Sequence, residues 1–164
     1  MLQDPSHQGM LDAAASFERQ LQIKTRSAIV AGKYGLAFVA LKQGNPAKAQ
    51  TLLNEARAAL KEGAPAAKSA VLASLAIDIK LAAHQYKDAV AEADAAHNQF
   101  PLSRGIAHQY ADALFAAGQY DEAATYLRDQ AQLYRHEPEL YDRLARVYAC
   151  LLYTSDAADD SLRV

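Results

Sequence analysis

Apolar side chains recur along this chain at the three-to-four-residue spacing of an amphipathic helix. Met10, Leu11, Ala14, Phe17 and Leu21 make one stripe, which predicts a helix over 10–23 entered through Asp4-Pro5-Ser6. A second run, 27–43, sets Ile29, Tyr34, Leu36, Ala37, Ala40 and Leu41 on overlapping faces and stops at Gly44-Asn45-Pro46. Pro46 suits a first helical turn because it has no N–H to leave unpaired, and behind it Ala49, Leu52, Leu53, Ala56 and Leu60 carry a third helix that closes at Glu62-Gly63-Ala64-Pro65. Helices over 67–83, 86–98, 103–117 and 121–134 follow, separated by His84-Gln85, Phe100-Pro101 and Gly118-Gln119. His136-Glu137-Pro138 is the last break, and a final helix begins near Glu139. β-Branched residues are few and no stretch alternates with period two for long, so strands are not expected. The fold class is all-α, and turns this short make sequence neighbours antiparallel.

Composition supports this reading. Among 164 residues there are 37 alanines, the best helix former, against 7 glycines and 5 prolines. The 17 basic and 19 acidic residues create no field that would draw a polyanion, which argues against nucleic acid as the main partner. No run of about 18 apolar residues occurs, so no segment is expected to insert in a membrane. The start has neither a basic nor an apolar region of the secretory type. The lone cysteine, Cys150, excludes an internal disulfide.

The helices come in a repeating order. Gly44-Asn45-Pro46-Ala47-Lys48-Ala49, His84-Gln85-Tyr86-Lys87-Asp88-Ala89 and Gly118-Gln119-Tyr120-Asp121-Glu122-Ala123 are each a turn leading to a small residue. From Ala49 to Ala89 the interval is long, and from Ala89 to Ala123 it matches the helix-turn-helix period of about 34 residues that characterises the tetratricopeptide repeat, which these segments resemble. The alanine early in the second helix of a pair lets two helices approach closely, and Leu53 and Leu127 stand four positions beyond it. In the third unit Tyr110, Ala111, Leu114, Gly118, Tyr120, Ala123 and Leu127 hold motif positions, with Gln130 in place of the later alanine. The same period leads on to Leu144, Ala145 and Tyr148, the start of a fourth unit, with Tyr141 in its aromatic position. The second unit fits least well, since Leu72, Leu75 and Ile79 fall about one position out of register. The expected architecture is antiparallel helix pairs stacked as a right-handed solenoid: an N-terminal helix within 1–24 on the first repeat, then about three and a half repeats over 25–149.

Three longer stretches, Tyr34-Gly35-Leu36-Ala37, Phe100-Pro101-Leu102-Ser103-Arg104 and Glu139-Leu140-Tyr141-Asp142-Arg143-Leu144-Ala145, resemble the C-terminal repeats of periplasmic zinc peptidases that assist outer-membrane β-barrel assembly. The resemblance spans roughly residues 5–149. It implies a periplasmic location, a preceding catalytic domain that carries zinc in an H-E-x-x-H motif, and repeats that dock on the β-barrel assembly machinery or on unfolded outer-membrane proteins. This chain has no such motif, because His136-Glu137 is followed by Leu140 where the second histidine is required. The resemblance therefore implies a non-catalytic part with no cofactor of its own. From Cys150 the chain reads Cys-Leu-Leu-Tyr-Thr-Ser-Asp-Ala-Ala-Asp-Asp, and residues 150–160 resemble a translated sequencing adapter. On that reading 150–164 is a non-native tail, residues 1–149 carry no net formal charge, and the fourth unit lacks its second helix. Uncovered apolar surface is then expected at its end.

The candidate chemistry is that of binding. His7, His84, His97, His108 and His136 are scattered without metal-ligand spacing, and no phosphate-cradling glycine loop occurs. Asp88 with Glu92 and Asp121 with Glu122 read as solvated helix surface, Asp88 and Glu122 also favouring their helix N-termini. Repeat positions place Tyr34, Phe38 and Leu41 of the first unit, His108, Asp112 and Phe115 of the third, and Asp142 and Arg146 of the fourth on a concave peptide groove. Phe38, Leu41 and Phe115 suit packing equally well, which leaves Tyr34, His108, Asp112 and Arg146 as the stronger candidates. Two other readings stay open: a stand-alone cytoplasmic adaptor or oligomerisation module, and an enzyme whose site spans the groove.

Overall fold

The computed structural model describes residues 5–60 and 69–161, with side chains over 8–60 and 69–153. All regular elements among them are helices: α1 Pro5–Leu21, α2 Arg26–Lys42, α3 Pro46–Ala58, α4 Ala70–Ala82, α5 Tyr86–Gln99, α6 Arg104–Ala116, α7 Tyr120–Leu133 and α8 Pro138–Ser161. The linker at Gly63-Ala64-Pro65 and the side chains of 154–160 lie outside the described residues. The chain divides into two compact units, residues 1–85 with α1 to α4 and residues 86–164 with α5 to α8.

Local chemistry explains the helix ends. Thr25 Oγ1 accepts the Ala28 N–H at 3.3 Å. Asn45 Oδ1 accepts the Lys48 N–H at 3.0 Å. Each contact satisfies a donor that the first turn of a helix leaves unpaired. Pro46 occupies the first position of α3. Three turns share one hydrogen-bond pattern. In the first, Gly44 N–H donates to Leu41 O at 3.0 Å and Asn45 N–H to Ala40 O at 2.9 Å. His84 to Leu81 with Gln85 to Lys80, and Gly118 to Phe115 with Gln119 to Leu114, repeat it at 2.9 to 3.0 Å. This is the Schellman closure, whose pivotal residue needs positive φ. Gly44 and Gly118 supply +74° and +75°, whereas His84 holds +57° with a side chain attached.

Unit 1 is built around α2, α3 and α4. Ala37, Ala40, Ala49, Leu53, Leu72, Leu75, Ala76 and Ile79 form one buried cluster, with Tyr34, Leu41, Leu52 and Leu60 packed against it. Leu72, Leu75 and Ile79 are core residues, and Ile77, in the repeat position that Ala37 holds in α2, is also fully buried. So α4 buries both registers. Helix α1 lies on α2 where the latter has no side chains: a Cβ at Gly35 would overlap the Phe17 ring, and one at Gly32 would fall 2.7 Å from Leu21 Cδ2.

Unit 2 closes around Ala111, Leu114, Ala123, Ala124, Leu127, Leu140 and Val147. Tyr110, Tyr126, Tyr134, Leu144 and Leu151 pack at its edge. Leu127, Leu140 and Val147 are each 1% exposed. Full burial of a side chain this size contributes about 2 kcal/mol. Helix α8 continues through the adapter-like stretch to Ser161.

Two glycine substitutions separate close packing from backbone conformation. Gly35→Ala drives a methyl into the Phe17 ring and is expected to cost about 1–3 kcal/mol, less when combined with Phe17→Ala. Gly118→Ala meets no neighbouring atom and is expected to cost about 1–2 kcal/mol through its positive φ alone. Urea unfolding midpoints measure both. A Gly35→Ala protein of undiminished stability would mean that α1 does not rest on α2.

Candidate functional site

In unit 1, the first half of α2 and the start of α4 flank a cavity of about 480 Å³. Val30, Ala31, Tyr34, Leu60, Val71 and Leu72 supply a mainly apolar wall, with Arg26 at its edge. Tyr34 is half-buried there. Burial raises its hydroxyl pKa above 10.0, and the carboxylate of Asp78 adds to the rise. Val71 is 53% exposed at the rim. Phe38, one turn beyond Tyr34 on α2, is 41% exposed. The Lys42 ammonium lies 5.3 Å from its ring centre, within the range of a cation–π contact. Leu41 packs on the core.

In unit 2 two of the four predicted polar groove residues, His108 and Asp112, are engaged within the chain. Asp112 accepts two hydrogen bonds from Arg143, at 2.9 Å from Nε and 3.1 Å from the terminal nitrogen, a bidentate pair that ties α6 to α8. His108 Nε2 lies 3.5 Å from Glu137, whose other oxygen is 2.6 Å from Arg104. The Arg104 contact is an ion pair, and neither Glu137 oxygen finds a hydrogen-bond partner of good geometry. The Arg104 guanidinium also lies 5.3 Å from the Tyr134 ring centre. Phe115 packs at the core edge, 5.4 Å from the Tyr120 ring. Asp142 and Arg146 are exposed on α8. Thus Tyr34 and Phe38 stand near one another on α2, His108 and Asp112 are held by partners, and Asp142 and Arg146 face solvent.

Sequence reasoning did not single out two features of unit 2. Arg143 was legible as a motif residue but not as the partner of Asp112, 31 positions away, because a pair that distant has no local signature. His97, Tyr110 and Tyr126 form an aromatic trio, with His97 5.4 Å and Tyr110 4.9 Å from the Tyr126 ring. Both approach that ring edge-on, the arrangement its quadrupole favours. Beside the trio Tyr110, Leu114, Asp121, Glu122, Thr125, Tyr126 and Asp129 line an open cleft of about 490 Å³. Burial raises the pKa of Tyr126 well above 10.0, and its hydroxyl has no hydrogen-bond partner. Tyr110 is raised as well, first by burial and then by Asp94 and Glu122.

The histidine and glutamate nearest in sequence to a zinc motif do not assemble one. Leu140, at the second histidine's place, is core, and Glu137 faces Arg104. Among the described residues no group of three or more His, Cys, Asp or Glu side chains is placed to hold a metal ion, and no helix is long and apolar enough to cross a membrane.

Comparison with known families gives a match between residues 104–147 and the tetratricopeptide repeat, covering α6, α7 and the start of α8. No curated protein and no solved structure matches the chain. With its helix pairs and recurring turns, the fold is all-α and tetratricopeptide-like, an architecture that typically binds protein partners rather than catalysing reactions.

The unpaired Tyr126 hydroxyl makes an unusual stability prediction. Tyr126→Phe removes a buried donor without opening a cavity, so it is expected to be neutral or stabilising by up to about 1 kcal/mol. A folded-state pKa above the unfolded value means that stability is fully present below pH 10 and is lost as pH rises past it. Urea unfolding between about pH 8 and about pH 11 should show that loss, with a shallower fall in Tyr126→Phe. An equal fall in both proteins would remove Tyr126 from the explanation.

Proposed function

We propose that this chain is a non-catalytic scaffold that binds polypeptide, and that it is the docking domain of a periplasmic zinc metallopeptidase serving outer-membrane protein assembly and quality control. The observation that carries the binding part is the apolar cavity at Tyr34, whose exposed Val71 rim presents surface for a partner's apolar side chain. The narrower assignment rests on the resemblance of 34–37, 100–104 and 139–145 to that peptidase family. On it, the partners are the β-barrel assembly machinery or unfolded outer-membrane proteins, and zinc belongs to the preceding catalytic domain. Residues 150–160 are, on the same reading, translated adapter sequence. A genomic read that runs natively through codon 150 into the same tail would overturn that part.

The alternative is a stand-alone cytoplasmic adaptor or oligomerisation module. An in-frame upstream H-E-x-x-H segment with a signal peptide supports the peptidase assignment, whereas a ribosome-binding site before Met1 supports the adaptor.

Binding of labelled segments from unfolded outer-membrane β-barrels, followed by fluorescence anisotropy, tests the cavity. Val71→Glu puts a charge on an exposed rim position and is expected to weaken binding about tenfold or more, about 1.4 kcal/mol, with the melting temperature unchanged. Binding untouched by Val71→Glu and by Tyr34→Ala would place the partner elsewhere.

A further inference from the structure

The cleft of unit 2 differs in kind from the Tyr34 cavity of unit 1. Two tyrosine rings, Tyr110 of α6 and Tyr126 of α7, contribute to its lining, with centroids 4.9 Å apart and planes at 75°. Rings at that angle make a corner rather than a stack. His97 of α5 lies 6.0 Å from the Tyr110 ring and 5.4 Å from the Tyr126 ring, so both are held in place by a neighbour within the chain. The rest of the lining is mainly acidic. Asp121, Glu122 and Asp129 contribute to it. Glu122, Tyr126 and Asp129 follow the i, i+4, i+7 spacing of one helix face, which sets a carboxylate on either side of Tyr126. Among the described residues no salt bridge or hydrogen bond engages these three carboxylates. No lysine or arginine lines the cleft, and Arg128 meets the lining at Thr125 Oγ1, 3.3 Å away. Negative charge reaches the rings: burial is the first cause of the raised Tyr110 pKa, and Asp94 and Glu122 are the next. The repeat architecture does not demand this lining. Tyr110, Tyr126 and Asp129 correspond to Leu36, Leu52 and Glu55 in the first repeat and to Ala76, Glu92 and Ala95 in the second. Each of those repeats also has a lysine, Lys48 or Lys87, where Glu122 or Asp121 stands.

We propose that this cleft is a second docking site, which receives an arginine side chain from an extended segment of a protein partner. Charge complementarity selects the occupant. A cation is attracted by the tyrosine rings and by the carboxylates together. An anion meets three like charges, and an aliphatic side chain would take the carboxylates out of water without pairing them. Among cations a guanidinium suits the corner best. It is planar and weakly hydrated, so it can lie on a ring while its N–H groups donate to Glu122 or Asp129 as a fork. Because the rings are already fixed by His97, little ordering is left for the ligand to impose. No residue of α8 lines the cleft, so the site depends neither on the tail nor on the second helix that the fourth unit lacks. That the partner is a polypeptide rests on the function proposed above; the choice of a basic side chain rests on the cleft alone.

Fluorescence anisotropy tests this, using the full 164-residue chain and a labelled peptide of alternating glycine, serine and arginine that has no apolar side chain to enter the Tyr34 cavity. The expected result is saturable binding with a Kd of about 100 µM. Joint Glu122→Gln and Asp129→Asn, both exposed positions, should weaken it about tenfold or more. Tyr110→Leu, which installs the residue of the first repeat, should weaken it about fivefold, whereas Tyr110→Phe keeps the ring and the affinity. A peptide with lysine in place of arginine should bind several-fold less tightly. Joint Asp12→Asn and Glu18→Gln, the same change of charge on α1, should have no effect, and neither should Val71→Glu. Basic-peptide binding that persists when segments of unfolded β-barrels fail to bind would count against the Tyr34 cavity and for this site. No binding at about 1 mM, binding indifferent to the α7 pair or to Tyr110→Leu, an equal loss from the α1 pair, or equal affinity for the lysine peptide would each overturn the proposal.

Discussion

Two helices can lie close along their length only where both present little beyond a backbone, and this chain meets that constraint with alanine. Ala37 and Ala49 in unit 1 and Ala111 and Ala123 in unit 2 are at most 2% exposed and share a cluster within each unit. Close approach at the alanines lets Leu53 and Leu127, four positions further on, reach the core instead of standing between the helices. The turn must reverse the chain within that short separation, which is why the Schellman closure with positive φ recurs at Gly44, His84 and Gly118. The Phe17 ring on Gly35 takes the same solution further, with a residue that has no side chain at all.

The parts of the fold legible in the sequence are those decided locally. Gly118, Pro46 and Pro138 mark helix ends because their backbone preferences operate without neighbours, and the recurrent alanines set the repeat. Where a helix is shaped by more than one neighbour, the pattern misleads. Helix α4 looks one position out of register because Leu72, Leu75 and Ile79 are buried as well as Ile77, so no single stripe exists to be read. Helix α1 begins at Pro5 rather than near Met10, since its first turn carries no apolar residue to announce it. His84 is the reverse case: a residue with a side chain holds the left-handed conformation because the turn geometry around it requires it.

The candidate site was less legible than the fold because side chains of the same type serve two ends. A polar residue on the face of a repeat helix can wait for a ligand or hold the next helix, and periodicity does not distinguish them. Asp112 takes the second course through Arg143, and His108 and Arg104 converge on Glu137. These pairs are partly solvated, so their contribution to stability is modest, on the order of 1 kcal/mol or less. Their larger effect is on orientation: they use donor and acceptor capacity that a bound peptide would otherwise find. What unit 1 offers at Tyr34 is mainly apolar shape, and shape arises from the spacing of helices rather than from any residue type.

Repetition also changes what exposure means. An exposed tyrosine on an ordinary surface helix is unremarkable, since more than half of a protein surface is apolar. In a repeat each position has a counterpart whose surroundings are known, and the counterpart sets the expectation. Ala111 and Leu114 show what the face of α8 meets when a second helix lies against it, and Ala145 and Tyr148 show that face without one. The open face of α8 is thus an incomplete version of a contact that the chain already makes within unit 2.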